Sequence, residues 1–107
     1  MSKSELEDAL AVQLDDAGLE YERQHKFYDK RKWKADFAFP SDMLLVEVQG
    51  GTWSGGRHTR GAGFENDRHK SNVAQIEGWL LLEVTKTMIE DGDALSYINR
   101  ALVKRRE

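Results

Sequence analysis

Apolar residues change their spacing several times along the chain, and each change marks an element. From Leu6 the spacing is helical. Leu6, Leu10, Leu14 and Ala17 form one stripe, opened by Ser4 with Glu7 three positions on, a capping-box pattern, and closed by Gly18. The period then drops to two: Leu19, Tyr21, Arg23, His25 and Phe27 alternate with charged neighbours. This predicts a first strand over 19–27, with Tyr28-Asp29-Lys30-Arg31 as the turn of a hairpin. The next run puts Trp33, Ala35, Phe37 and Phe39 on one face and Lys34, Asp36 and Ala38 on the other. A Pro-Ser-Asp turn follows, and from Met43 to Gln49 the faces are Leu44, Val46 and Val48 against Leu45, Glu47 and Gln49. Helical spacing returns over 64–77, with Val73 and Ile76 on the side expected to be buried and Gly78 as the stop. Trp79 to Thr85 contains a four-residue apolar run suited to a buried, central strand. A final helix is predicted from near Asp93, with Ala94, Leu95, Ile98, Ala101 and Leu102 as its core stripe. The class is α/β, in the order αβββαβα around a mixed sheet.

Composition adds bounds to this outline. A length of 107 residues suits one modest core, so a single domain over 1–107 is expected. There are no cysteines, which removes disulfides and thiolate zinc sites. The N-terminal MSKSELED has no apolar signal core, and no apolar run exceeds four residues, so a cytoplasmic location with no membrane contact is expected.

The net charge is −3, but its distribution is uneven. Residues 1–22 carry seven acids against one lysine. Residues 23–34 carry six bases (Arg23, Lys26, Lys30, Arg31, Lys32, Lys34) against one acid. Such a block is either a solvated hairpin or a local phosphate-binding footprint. The stretch Gly50 to Gly63 has six glycines and no periodicity, and reads as a long loop. Within it, Arg57, His58 and Arg60 suit a grip on phosphates, and Trp53 suits stacking or wedging against a base. A flexible connection with a partly buried Trp is the plainer reading. Lys104-Arg105-Arg106 at the end of the last helix suits the helix dipole, or a further phosphate contact.

The candidate chemistry lies where acids interrupt apolar strands. Asp36 and Glu47 fall on adjacent strands, and burying carboxylates there without compensation is costly, which suggests a cation between them. Hard divalent ions such as Mg²⁺ take oxygen ligands and are commonly held by one or two carboxylates plus substrate phosphate. Glu7 lies at the edge of the first helix's stripe, beside Leu14, and can reach toward the sheet as well as close the capping box.

Asp36, with Glu47-Val48-Gln49 beginning eleven positions on, resembles the core of the PD-(D/E)XK nuclease superfamily. The flanking order is a Glu-bearing helix before, then a helix, a Gly-Trp strand and a final helix after. It is similar to the small Holliday junction resolvase-like and very-short-patch-repair-like branches, over nearly the whole chain. Two positions depart from the pattern: Ala35 stands in place of proline and Gln49 in place of lysine.

The resemblance implies a restriction-endonuclease-like domain that hydrolyses DNA phosphodiesters at a cleft by Asp36 and Glu47. Its implied metal ligands are Asp36, Glu47 and the Val48 carbonyl, for Mg²⁺ with Mn²⁺ able to substitute; Glu7 would bind a second ion or a water. Gln49 can orient a water but carries no charge. Some branches move the catalytic lysine to the following helix, where Lys70 lies about 60° around from Val73; an exposed helix lysine is the plainer reading. His69 is a weaker candidate at the same edge, and Asp67 and Asn72 are candidates for holding the loop or helix. The implied substrate is DNA, branched or otherwise distorted, and resolvases act as two-fold dimers, so a homodimer is an implied assembly. Mismatch or nicking endonucleases of the same fold remain open, as does a catalytically weak DNA-binding module. A His-Asn-His nuclease built on His58, His69 and Asn72 would need a strand hairpin before the helix, and the glycine-rich stretch does not read as one.

Overall fold

The computed structural model describes residues 1–50 and 61–107. Its first helix, α1 (Lys3–Asp16), starts at an N-cap Ser2. The Ser2 hydroxyl accepts the Glu5 amide at 3.1 Å, and the Glu5 carboxylate accepts the Ser2 amide at 3.0 Å. The capping box thus lies two residues before the expected Ser4 and Glu7. Both pairs fit the pattern, but Glu7 is turned into the protein and is only 7% exposed. Leu6, Leu10 and Leu14 form the buried stripe as expected; Ala11 completes it, while Ala17 is exposed at the C-cap.

Four strands form one sheet in the order β1 (Glu22–Lys26), β2 (Lys34–Phe39), β3 (Leu44–Gln49), β4 (Leu80–Thr85). The first two pairings are antiparallel and the last is parallel, so the sheet is mixed. A 3-10 turn, Pro40–Asp42, joins β2 to β3, and α2 (Ala62–Ile76) lies between the parallel strands in the chain. β1 is shorter than the predicted 19–27: Leu19 and Tyr21 precede it and pack on the core, Tyr21 against Phe37 with ring centroids 5.5 Å apart.

One large cluster fills the face covered by α1 and by the last two helices, α3 (Lys86–Asp91) and α4 (Asp93–Arg106). It joins Leu6, Leu10 and Leu14 to Phe37, Phe39, Leu44, Val46, Val48, Ile89 and Ile98. A smaller cluster of Ala35, Ala38, Leu45, Ala74 and Trp79 seats α2. The observed order is αβββαβαα; the added helix α3 is capped by the Thr85 hydroxyl, which accepts the Met88 amide at 3.3 Å, and delivers Ile89 to the core.

Two expectations are corrected. β4 is an edge strand and not a central one, and its apolar run is half-buried: Leu80 and Leu82 pack against the large cluster and Leu81 against the small one. The face of α2 is also rotated. Ile76 is 79% exposed and Ala74 is buried, because the small side chain lets the helix approach the sheet beside Trp79. That rotation brings Lys70, one turn before Ala74, in over the strands. Among the described residues, no helix is long and apolar enough to cross a membrane.

Candidate active site

The site forms where β2 and β3 stop pairing. Their ladder runs from Phe39 opposite Leu44 to Phe37 opposite Val46. At the next position side chains take over from the backbone. The Asp36 amide donates to Glu47 Oε2 at 3.2 Å, and the Val48 amide donates to Asp36 Oδ2 at 2.8 Å. Each strand thus lends a carboxylate to an amide of the other, which satisfies buried donors and holds the two acids side by side.

Two ammonium groups converge on this pair. Lys3, in the first turn of α1, donates to Asp36 Oδ1 at 2.7 Å and to Glu7 Oε2 at 2.9 Å. Lys70, from α2, is paired with Glu47 and also donates to the Lys34 carbonyl at 2.6 Å. Glu7 is engaged on its other oxygen as well: Oε1 accepts the Gln24 side-chain amide at 3.0 Å and lies 3.6 Å from Arg23 Nη2. Gln24 reaches it from a left-handed backbone conformation, φ 51°, within β1. In a residue with a Cβ that conformation costs roughly 1–2 kcal/mol, and strained residues of this kind cluster at functional sites. Lys3, Asp36, Glu47 and Lys70 line an open cleft of about 320 Å³, together with Gln49, whose side-chain amide donates to Glu83 at 3.2 Å.

The two central acids are driven apart electrostatically. Burial would raise Asp36, but the bonds from Lys3 and the Val48 amide outweigh it and hold its pKa below the ordinary carboxylate value. Glu47 is pushed up to about 7, by burial first and by the neighbouring Asp36 charge, with Lys70 only partly offsetting them. Two titratable groups with separated pKa values in one cleft are a functional-site signature.

The donor set fits a hard divalent cation. Asp36 and Glu47 lie side by side with hard carboxylate oxygens, each already accepting one bond and each with a second lone pair left for an ion. Among the described residues no three acidic or imidazole side chains converge as a ready-made metal cage.

Other candidates are placed as follows. Lys30, Arg31, Lys32 and Lys34 are exposed; Arg31 lies 4.2 Å over the Trp33 ring, and Trp33 stacks on Phe27 and Tyr28. Lys34 also lines the cleft. Trp53, Arg57, His58 and Arg60 lie outside the described residues. His69 is exposed on α2, 3.4 Å from Glu65, and Asn72 is exposed too; neither lines the cleft. Of the terminal basic run, Arg105 donates to the Met43 and Gly78 carbonyls and Arg106 pairs with Asp42, so both are used within the fold.

Lys3 and Gln24 were not among the residues expected from the sequence. Lys3 sits four positions before Glu7, one helical turn away on the same face, and that spacing is a signal for the pair. Nothing local marks Gln24, whose role comes from a backbone angle.

No family profile matches the chain, and no curated protein matches its sequence. Its fold is similar to that of a solved structure titled "Homing Endonuclease I-Bth0305I Catalytic Domain", with a TM-score of 0.74 over 95% of this chain and 97% of that one, at 19% identity. The chain therefore has the mixed α/β fold of that homing endonuclease catalytic domain.

Proposed function

We propose that this chain is a divalent-metal-dependent DNA endonuclease that hydrolyses phosphodiester bonds. The observation that carries the reading is the Asp36 and Glu47 pair, held across a parted ladder at the floor of a cleft that also holds Lys3 and Lys70. The fold supports it, being shared with a protein whose name describes a homing endonuclease.

Asp36 and Glu47, with the Val48 carbonyl, would hold Mg²⁺, or Mn²⁺ in its place; Glu7 is the outer acid of the site. Bound there, the ion would offset charge on the scissile phosphate and lower the pKa of the attacking water. Lys70 leaves Glu47 for a phosphate oxygen and so supplies positive charge that Gln49 cannot. Gln49, turned by Glu83, offers its amide oxygen to orient the water. The water gives a proton to solvent as its oxygen bonds to phosphorus, the P–O bond to one strand breaks, and the departing oxygen takes up a proton from solvent. Lys30, Arg31, Lys32 and Lys34 form a basic margin along which a phosphate backbone would lie.

Within this class we favour a structure-selective enzyme, resolvase-like, acting on branched DNA as a two-fold dimer, with mismatch or nicking activity as the neighbouring alternative. One observation favours a second reading, a catalytically weak DNA-binding module: Lys3 and Lys70 already neutralise the buried acids. The deciding experiment is a cleavage panel of labelled four-way junction, flap, mismatch, single-stranded and plain duplex DNA with Mg²⁺ or Mn²⁺. Metal-dependent cutting strongest on the junction is expected. Binding without cutting on every substrate would establish the module.

A further inference from the structure

We propose that Lys3 is the built-in cation of this cleft: its ammonium, clamped between Glu7 and Asp36, stands where a second metal ion would otherwise be needed. The proposal rests on the nuclease reading above and adds to it the number of ions the site takes and the source of its fixed positive charge.

Four observations support it. The first is donor arithmetic. An ammonium has three N–H groups; Glu7 and Asp36 take two, and the Lys3 side chain, 48% exposed, lines the cleft, with no partner for the third among the described residues. The second is the state of Glu7. One of its oxygens is bonded to Lys3, the other to Gln24 with Arg23 close by, so Lys3 is the cation that this acid already holds.

The third is Gly50, at the end of the Glu-Val-Gln strand. A Cβ placed there would lie 2.9 Å from Lys3 Cβ and 3.1 Å from Lys3 Cα. The stem of Lys3 therefore crosses the strand end at a distance that only glycine allows, and the atoms in the way are those nearest the α1 backbone, which cannot swing aside. The fourth is local cost. A lysine in the first turn of a helix opposes the helix dipole, so the position is poor for stability alone.

Lys3 also differs from Lys70 in what metal binding would require. Lys70 sits on Glu47 and must leave for that carboxylate to take an ion. Lys3 lies on the Glu7 side of Asp36 and can stay in place throughout.

The test is calorimetric titration of the full chain with Mn²⁺, read beside single-turnover cleavage of the best substrate over a range of Mn²⁺ concentrations. The parent should bind one ion. Lys3→Met should bind two, and at low Mn²⁺ its rate should fall by roughly 10²- to 10³-fold, the loss typical of one preorganised electrostatic group. Its rate should then recover at high Mn²⁺ with a steeper, second-order metal dependence. Lys3→Arg should restore the single-ion stoichiometry. Gly50→Ala keeps every charged group but displaces the lysine stem, so it should move stoichiometry and metal dependence in the same direction as Lys3→Met, and it decides the matter if Lys3→Met does not fold. A parent that binds two ions, or Lys3→Met and Gly50→Ala proteins that bind one ion and cut at the parental rate, would overturn the proposal while leaving the nuclease reading intact. A parent that neither binds Mn²⁺ nor cuts any DNA would remove both.

Discussion

Asp36 and Glu47 face each other where two antiparallel strands stop pairing, and each carboxylate accepts a backbone amide from the other's strand, at 2.8 Å from Val48 and 3.2 Å from Asp36. The acids are therefore part of the sheet's hydrogen bonding as well as candidates for chemistry, and substitutions must separate the two roles. Asp36→Asn keeps an oxygen for the Val48 amide but removes the charge. It should fold, yet lose both cleavage and the rise in melting temperature that Mn²⁺ gives the parent by mass action. Asp36→Ala should cost a further 1–3 kcal/mol or so, the usual penalty for an unpaired buried donor. Thermal melts with and without Mn²⁺ check both; a parental metal response in Asp36→Asn would take Asp36 out of the site.

Lys70→Ala removes the ammonium beside Glu47. The cleavage rate should drop by roughly 10²- to 10³-fold, about 3 to 4 kcal/mol, with DNA affinity little changed, because the group acts in the transition state. Gln49→Lys places an ammonium two residues from Glu47 on the same strand face, and should restore part of the rate in the double variant. Single-turnover cleavage measures this, and a Lys70→Ala protein that cuts at the parental rate would assign Lys70 to the fold alone.

The raised pKa of Glu47, about 7, gives a pH dependence of definite sign. Without metal, the folded protein holds this proton more tightly than the unfolded chain does. Glu47 therefore contributes most stability below the ordinary carboxylate value, and the contribution is lost as pH rises toward about 7. Asp36, lowered in the folded state, contributes in the opposite sense: its share is present above the ordinary value and is lost as pH falls through the lowered pKa. Metal binding needs the ionised ligand, so the melting-temperature rise given by Mn²⁺ should grow with pH through about 7. Melting curves across this range, with and without Mn²⁺, test the pattern, and Glu47→Gln should remove the loss in the metal-free series.

Lys30→Glu and Lys32→Glu, on the exposed turn before β2, should weaken DNA binding about equally on all sequences. For every phosphate that is no longer neutralised, the salt slope should become shallower by roughly 0.9. Arg31 is less suited to this test because it also lies over Trp33, so its replacement disturbs the aromatic stack. Fluorescence anisotropy at several salt concentrations gives the slopes; identical slopes for variant and parent would return the hairpin to solvent.

The parts of this molecule legible in the sequence are those set by period. Leu6, Leu10 and Leu14 repeat at helical spacing and are buried; Phe37 and Phe39, and Leu44, Val46 and Val48, alternate and share the large core. The same alternation put Asp36 and Glu47 on adjoining strands, and helical angle alone turned Glu7 inward. What escaped was set by side chains that meet from distant parts of the chain. Lys3 reads as half of an ordinary surface pair with Glu7 until the strand 33 residues away brings Asp36 to it. Two overlapping capping boxes are equivalent on paper, and only the burial of Glu7 selects Ser2 with Glu5. The run Trp79 to Leu82 reads as central because apolarity reports burial and not how many strands supply it; here helices cover an edge strand.

The left-handed Gln24 has a consequence at the opposite side of β1. That strand is an outer edge of the sheet, and an unpaired edge invites another extended chain to add to it. With φ at 51° the backbone there departs from the flat run that such an addition needs, and Arg23 and Lys26 add charge on either side of the kink. The angle that aims an amide at Glu7 thus also blunts the edge against strand-by-strand aggregation, and Gln24→Gly, which takes the same angle at lower cost, would keep the kink and lose the aim.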